Sequence, residues 1–230
     1  LSDITLKNLD DSGTVSGLDA DLVIKTRGTP HNFTMDHVKV DGESVAGRFG
    51  VGNGQISGAI SITNSEFDNI SGWVVFDNRA GAGSTPGVND GTLLTSVNFS
   101  NNVIDNSQGS IAFRQLGNGG PYADVTISDN VVENVGDAVN SFGGIFKVFN
   151  AGTVTFSGNN ISDIGTSGFN PAGEAAYGAA LLTRGVNTLN VTNNTFTDNN
   201  MAFAVEPGKA LAGTVNFTGN TFDNNKYAIY

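Results

Sequence analysis

One ten-residue template recurs along this chain and constrains its fold more than any other feature. It reads apolar, any, apolar, any, then Asn, Gly or Asp, then Asn, any, apolar, an acidic or hydroxyl residue, and finally Asn, Asp or Gly. ISITNSEFDN from Ile60, VNFSNNVIDN from Val97, VTISDNVVEN from Val125, VTFSGNNISD from Val154, LNVTNNTFTD from Leu189 and VNFTGNTFDN from Val215 follow it closely. FTMDHVKVDG from Phe33 follows it well, and ITLKNLDDSG from Ile4 keeps only its first half. The eight starts, at 4, 33, 60, 97, 125, 154, 189 and 215, are spaced by 29, 27, 37, 28, 29, 35 and 26 residues.

A unit shorter than 30 residues suits strands better than helix pairs, and the side-chain pattern agrees. Apolar residues two apart, such as Val97 with Phe99 and Leu189 with Val191, alternate as in a strand with one buried face. An Asn-rich step then turns the chain, because Asn tolerates left-handed backbone geometry. A lone apolar residue follows (Phe67, Ile104, Val132, Ile161, Phe196, Phe222), and then a third apolar stretch such as WVVF at Trp73, IAF at Ile111 or MAFAV at Met201. Asn, Gly, Thr and Val are poor helix formers, and no 3.6-residue periodicity is sustained. The expectation is therefore an all-β solenoid of about eight coils with three short strands each, forming a single domain over 1–230. Side chains one coil apart become spatial neighbours, so Val, Ile and Phe pile into apolar columns and turn asparagines bond along a ladder.

These residues resemble the right-handed parallel β-helix repeat family, which includes pectate and chondroitin lyases, polygalacturonases, alginate epimerases, phage tailspikes and bacterial surface adhesins. The resemblance covers nearly the whole chain and implies the fold. Because the recurring residues build the scaffold, function has to be sought in departures from the repeat.

Composition narrows the partners. Only 14% of residues are charged, so the surface is built largely from neutral polar groups. A net charge of −11 sets the whole-molecule field against nucleic acid and anionic membranes. No apolar run reaches the roughly 18 residues of a membrane helix. Without cysteine there are no disulfides, thiolate metal sites or cysteine nucleophiles. The chain reads as a mature or excised piece of a secreted or cell-surface, bacterial protein.

Loop insertions fall near 78–91, 136–144 and 165–178. The last two lie on neighbouring coils and make Asp137, Glu174 and Tyr177 candidate cleft residues, although solenoids also tolerate plain loop variation on one face. Eight of the 11 cations fall in or just beyond the third strand: Lys25, Arg27, Arg48, Arg79, Arg114, Lys147, Arg184 and Lys209. Stacked, they would form a basic stripe; Arg48, Arg79, Arg114, Lys147, Arg184 and Lys209 are its candidate contacts for an acidic polysaccharide. The same positions also suit long cations that merely cover apolar surface.

Acids form a matching series after the lone inward residue: Asp41, Asp68, Asp105, Glu133, Asp163, Asp198 and Asp223. Carboxylates about 5 Å apart repel, so either amides and solvent screen them or calcium sits between coils. Asp68, Asp105, Glu133, Asp163 and Asp198 are the metal candidates, and turn capping is the competing role. No other cofactor is implied. His31 lies in a turn and His37 takes a turn position, so neither reads as half of a catalytic triad.

Three functions fit. The leading one is a non-catalytic structural or adhesive module that binds polysaccharide and stacks axially on itself or on flanking coils. The second is a polysaccharide lyase or epimerase on an acidic polymer, for which Arg114, Lys147 or Arg184 with Tyr177, flanked by Asp137 and Glu174, is the available grouping. The third is a phage fibre segment.

Overall fold

A computed structural model describes residues 2–7, 22–25, 32–41, 48–52, 58–69, 73–77, 94–107, 111–114, 123–135, 144–149, 151–165, 179–205 and 213–229. These residues form strands, turns and bridges, and every strand pairing is parallel. The strands divide into a 14-stranded and an 8-stranded sheet, each running from coil to coil. The chain is an all-β parallel β-helix.

Seven template starts stack in one column. Phe33 pairs with Ile60, Ile60 with Val97, Val97 with Val125, Val125 with Val154, Val154 with Leu189 and Leu189 with Val215. Ile4 departs from this, pairing with Val38 instead of Phe33. That strand, Ser2–Lys7, lies against the second half of Phe33–Asp41, consistent with a template of which only half is present.

The lone apolar residues form their own column, Val40, Phe67, Ile104, Val132, Ile161, Phe196 and Phe222, in unbroken register. All of these but Phe222, with Ile62, Phe99, Ile127, Phe156 and Val191 from the first strands and Phe113, Phe146 and Val148 from the third, fill one continuous core. Phe156 and Phe196 stack with centroids 6.2 Å apart, and Phe99 meets Phe113 and Phe146 edge-on at 5.8 and 5.7 Å. Such aromatic geometry adds about 0.5–1.5 kcal/mol per pair beyond area burial. In the first strands every second residue is buried, which is the two-residue period of a sheet with one solvated face.

Candidate functional site

The first turn separates two asparagine roles that the sequence presents side by side. Asn64, Asn101, Asp129 and Asn193 have φ between 52° and 57°, and Gly158 and Gly219 hold the same left-handed position at 67° and 69°. His37 joins them at 53°, so it serves as a turn residue. The next residue points inward. Asn102, Asn130, Asn159 and Asn194 are each 1% exposed.

These inward side chains form a hydrogen-bonded ladder. Asn130 Nδ2 donates to Asn159 Oδ1 at 2.8 Å and to the Phe99 carbonyl at 3.1 Å. Asn159 Nδ2 donates to Asn194 Oδ1 at 2.9 Å and to the Ile127 carbonyl at 3.0 Å, and Asn194 repeats the pattern onto Asn220 and Phe156. Each backbone N–H adds a bond to the same following carboxamide, as Asn159 N does to Asn194 Oδ1 at 2.9 Å. Both protons and the oxygen of every interior rung are therefore satisfied, which is what allows an amide to be buried. A shorter ladder at the second turn links Ile164 N to Asn199 Oδ1 and Asn199 N to Asn225 Oδ1, both at 3.1 Å.

The acid series is shorter than its sequence spacing predicts. Asp41 pairs with Asp68, Asp68 with Asp105, and Glu133 follows Val132, the partner of Ile104, but the column then runs through Ser162 and Thr197 before Asp223. Asp163 and Asp198 sit one residue later, at φ 56° and 55°, in the left-handed position that Asn69, Asn106, Asn134 and Asn224 occupy elsewhere. The template permits an acid at its ninth or its tenth place, and the backbone gives the two places different roles.

Amides on neighbouring coils answer the carboxylates. Asn69 Nδ2 donates to Asp41 at 3.1 Å, Asn134 Nδ2 to Asp105 at 2.9 Å, and Asn224 Nδ2 to Asp198. Asp68 keeps one buried carboxylate oxygen without a hydrogen bond. Among the described residues no three His, Asp or Glu side chains converge closely enough to hold a metal ion. Asp41, Asp105 and Asp198 thus each accept a hydrogen bond from an asparagine one coil on. Lys39 bonds Glu66 on the next coil, which together with the charges of Asp41 and Asp68 holds its ammonium above the usual lysine range.

The cations share the short sheet but not one column. Arg48 is in register with Trp73, Arg114 with Asp77, Lys147 with Ala112 and Leu182, and Arg184 with Phe149. Lys147 is 1% exposed, which removes it from any solvent-facing stripe and from a catalytic role at the surface. Arg184 is half-buried, its guanidinium 4.2 Å from the Phe149 ring centroid. Lys25, Arg114 and Arg184 fall on one register path, through Gly52, Asp77 and Phe149, whereas Arg48 and Lys147 fall on others, because differing loop lengths shift where along the strand each cation lands. Arg79, Asp137, Glu174, Tyr177 and Lys209 lie outside the described residues, as do His31 and Arg27.

The sequence reading also missed an outer cluster on the short sheet. Phe149, Ala179, Leu182, Met201 and Ala204 form a second buried cluster separate from the main core, with Tyr227 against them. The signal was present in AALLTR and MAFAV, where apolar residues run consecutively instead of alternating.

A family model described as "Right handed beta helix region" matches residues 33–230. No curated protein and no solved structure matches the chain.

Proposed function

Because this chain belongs to the right-handed β-helix family and is a solenoid, we propose that it acts as a non-catalytic structural or adhesive module of a secreted or cell-surface protein, joined axially to further β-coils. The observation that carries this reading is the face of the last described coil. Val215, Phe222 and Ile229 are 38, 36 and 57% exposed, whereas their register partners Leu189, Phe196 and Phe203 are 0, 0 and 2% exposed. Asn220 and Asn225 hold the last described rungs of both ladders, so this face combines apolar area with the donors that every earlier rung directs at a following carboxamide. A coil from a second copy or a flanking segment satisfies both requirements at once.

Negative-stain microscopy and sedimentation across a concentration series test self-stacking. Rods lengthening in whole multiples are expected, and Phe222→Asp with Ile229→Asp returns them to single units. A wild-type protein that stays one unit long at high concentration overturns self-stacking. To the adhesive role we assign an acidic polysaccharide at the arginine-bearing edge of the short sheet. Polyuronate retention that survives Arg114→Ala with Arg184→Ala overturns that assignment.

A further inference from the structure

The outward face of the first-strand sheet is a two-dimensional array of hydrogen-bonding groups, neutral over its last three coils. Three columns run along it. One passes through Thr34, Ser61, Asn98, Thr126, Thr155, Asn190 and Asn216, and a second through Asp36, Thr63, Ser100, Ser128, Ser157, Thr192 and Thr218. The third runs through Ser96 and Asp124 to Thr153, Thr188 and Thr214. Across the last three coils the array is Thr, Thr, Ser over Thr, Asn, Thr over Thr, Asn, Thr, with no charge and no aromatic ring. Parallel pairing without a register shift keeps these columns straight from Thr153–Ser157 to Thr214–Thr218.

The sheet fixes the dimensions of this array. Ranks repeat about every 4.8 Å between coils, and outward residues about every 6.7 Å along a strand. β-branched threonines hold few rotamers, so hydroxyls and methyls recur at defined points. The solute chemistry that fits is selective. A charged polymer finds no opposite charge on these nine positions, and a sugar ring finds no aromatic face on which to stack. An uncharged lattice of alternating donors and acceptors is the complement of this face in both charge and period. The two spacings lie close to the repeats of the primary prism face of hexagonal ice, where each oxygen both donates and accepts.

We propose that this face binds the surface of ice, with the hydroxyl and amide columns of the last three coils anchoring water in lattice positions. The assignment is independent of axial stacking, because it uses side chains perpendicular to the rod.

The test freezes a dilute solution slowly onto a cold finger and compares protein in ice and liquid, together with ice recrystallisation after annealing. The whole chain is expected to partition into ice and to keep crystals small. Asn190→Lys and Thr155→Lys, placing a hydrated cation within the array, reduce both readouts at least tenfold. Thr195→Lys, on a short strand outside the three columns, leaves them unchanged. Melting curves show whether each variant retains its fold, and Thr214→Lys, at a more exposed rank, supplies the measurement should an interior substitution unfold. Exclusion of the wild type from ice, or equal partition of folded lysine variants, overturns the proposal. Retention on crystalline cellulose or chitin, lost in the same variants and without ice partition, also overturns it and gives the face to a neutral polysaccharide.

Discussion

The long and the short sheet share strand geometry and coil register, yet their outward faces are opposites. On the long sheet the outward positions of Thr153–Ser157 and Thr188–Thr192 are neutral, polar and partly exposed. On the short sheet residues 145–149, 179–183 and 201–204, each run within one strand, are all buried, inward and outward positions alike. Alternation therefore marks a sheet with one solvated face, and its loss marks a sheet covered twice. The two insertions near 136–144 and 165–178 directly precede the first two of those strands in sequence, so departure from the repeat and departure from alternation occur together.

The comparison breaks most easily at Leu182. Its side chain is outward from the main core yet 0% exposed, within the outer apolar cluster. Leu182→Lys is expected to destabilise by about 3 kcal/mol or more, because it buries an ammonium and removes apolar packing. Thr155→Lys, outward on the long sheet, is expected to cost within about 1 kcal/mol. Chemical denaturation of both variants checks this, and equal losses would mean that the two faces are not different environments.

The same contrast narrows to neighbouring residues at the first turn. Asn193 and Asn194 are identical in sequence, but one adopts φ 57° at the surface and the other is a buried ladder rung. Asn194→Ala removes donors to Asn220 and Phe156 and leaves Asn159 N and Nδ2 without their acceptor, a loss of about 2–4 kcal/mol. Asn193→Gly keeps the left-handed backbone that Gly158 and Gly219 show on adjacent coils, and is expected to change stability by less than about 0.5 kcal/mol. Denaturant midpoints for the pair measure the difference directly.

This pair also shows how much was legible in advance. The parallel coil, its seven-start register and the inward Phe, Ile and Val column follow from a period of two nested in a longer repeat, because both are linear patterns. The ladder was legible as a series of turn asparagines, but Asn64, Asn101 and Asn193 belong to that series in sequence and hold the left-handed turn position in the structure. Which member of an Asn-Asn step turns inward depends on backbone dihedrals, and only the occurrence of Gly158 and Gly219 in one of the two columns hints at it. The acid series thins because Asp163 and Asp198 follow their inward residues by two positions, where Asp68 and Asp105 follow theirs by one. Among the third-strand cations Arg114 and Arg184 share a register path and Arg48 and Lys147 do not, because register after a loop of variable length is set by the strand pairing that follows.

The smallest expected effect sharpens the view of the first-strand face of the long sheet, where Asp36 and Asp124 lie before the last three ranks. Asp36 occupies the outward column that continues as Thr63 and Ser100. Hydrogen bonds from Asn64, Thr63 and His37, in that order, hold its carboxyl at about 2, below its ordinary value of 3.8. Since the folded value is the lower one, the unfolded chain binds the proton more readily. The contribution is thus fully present above about pH 4 and is lost as pH falls towards 2. Thermal melts from pH 5 to pH 2 are expected to show a shallower acid dependence for Asp36→Asn than for the wild type in that window, with the two converging at its lower end. An unchanged slope would mean that the cross-coil bonds from Asn64 and Thr63 do not persist in solution, and that the polar columns begin only beyond the N-terminal ranks.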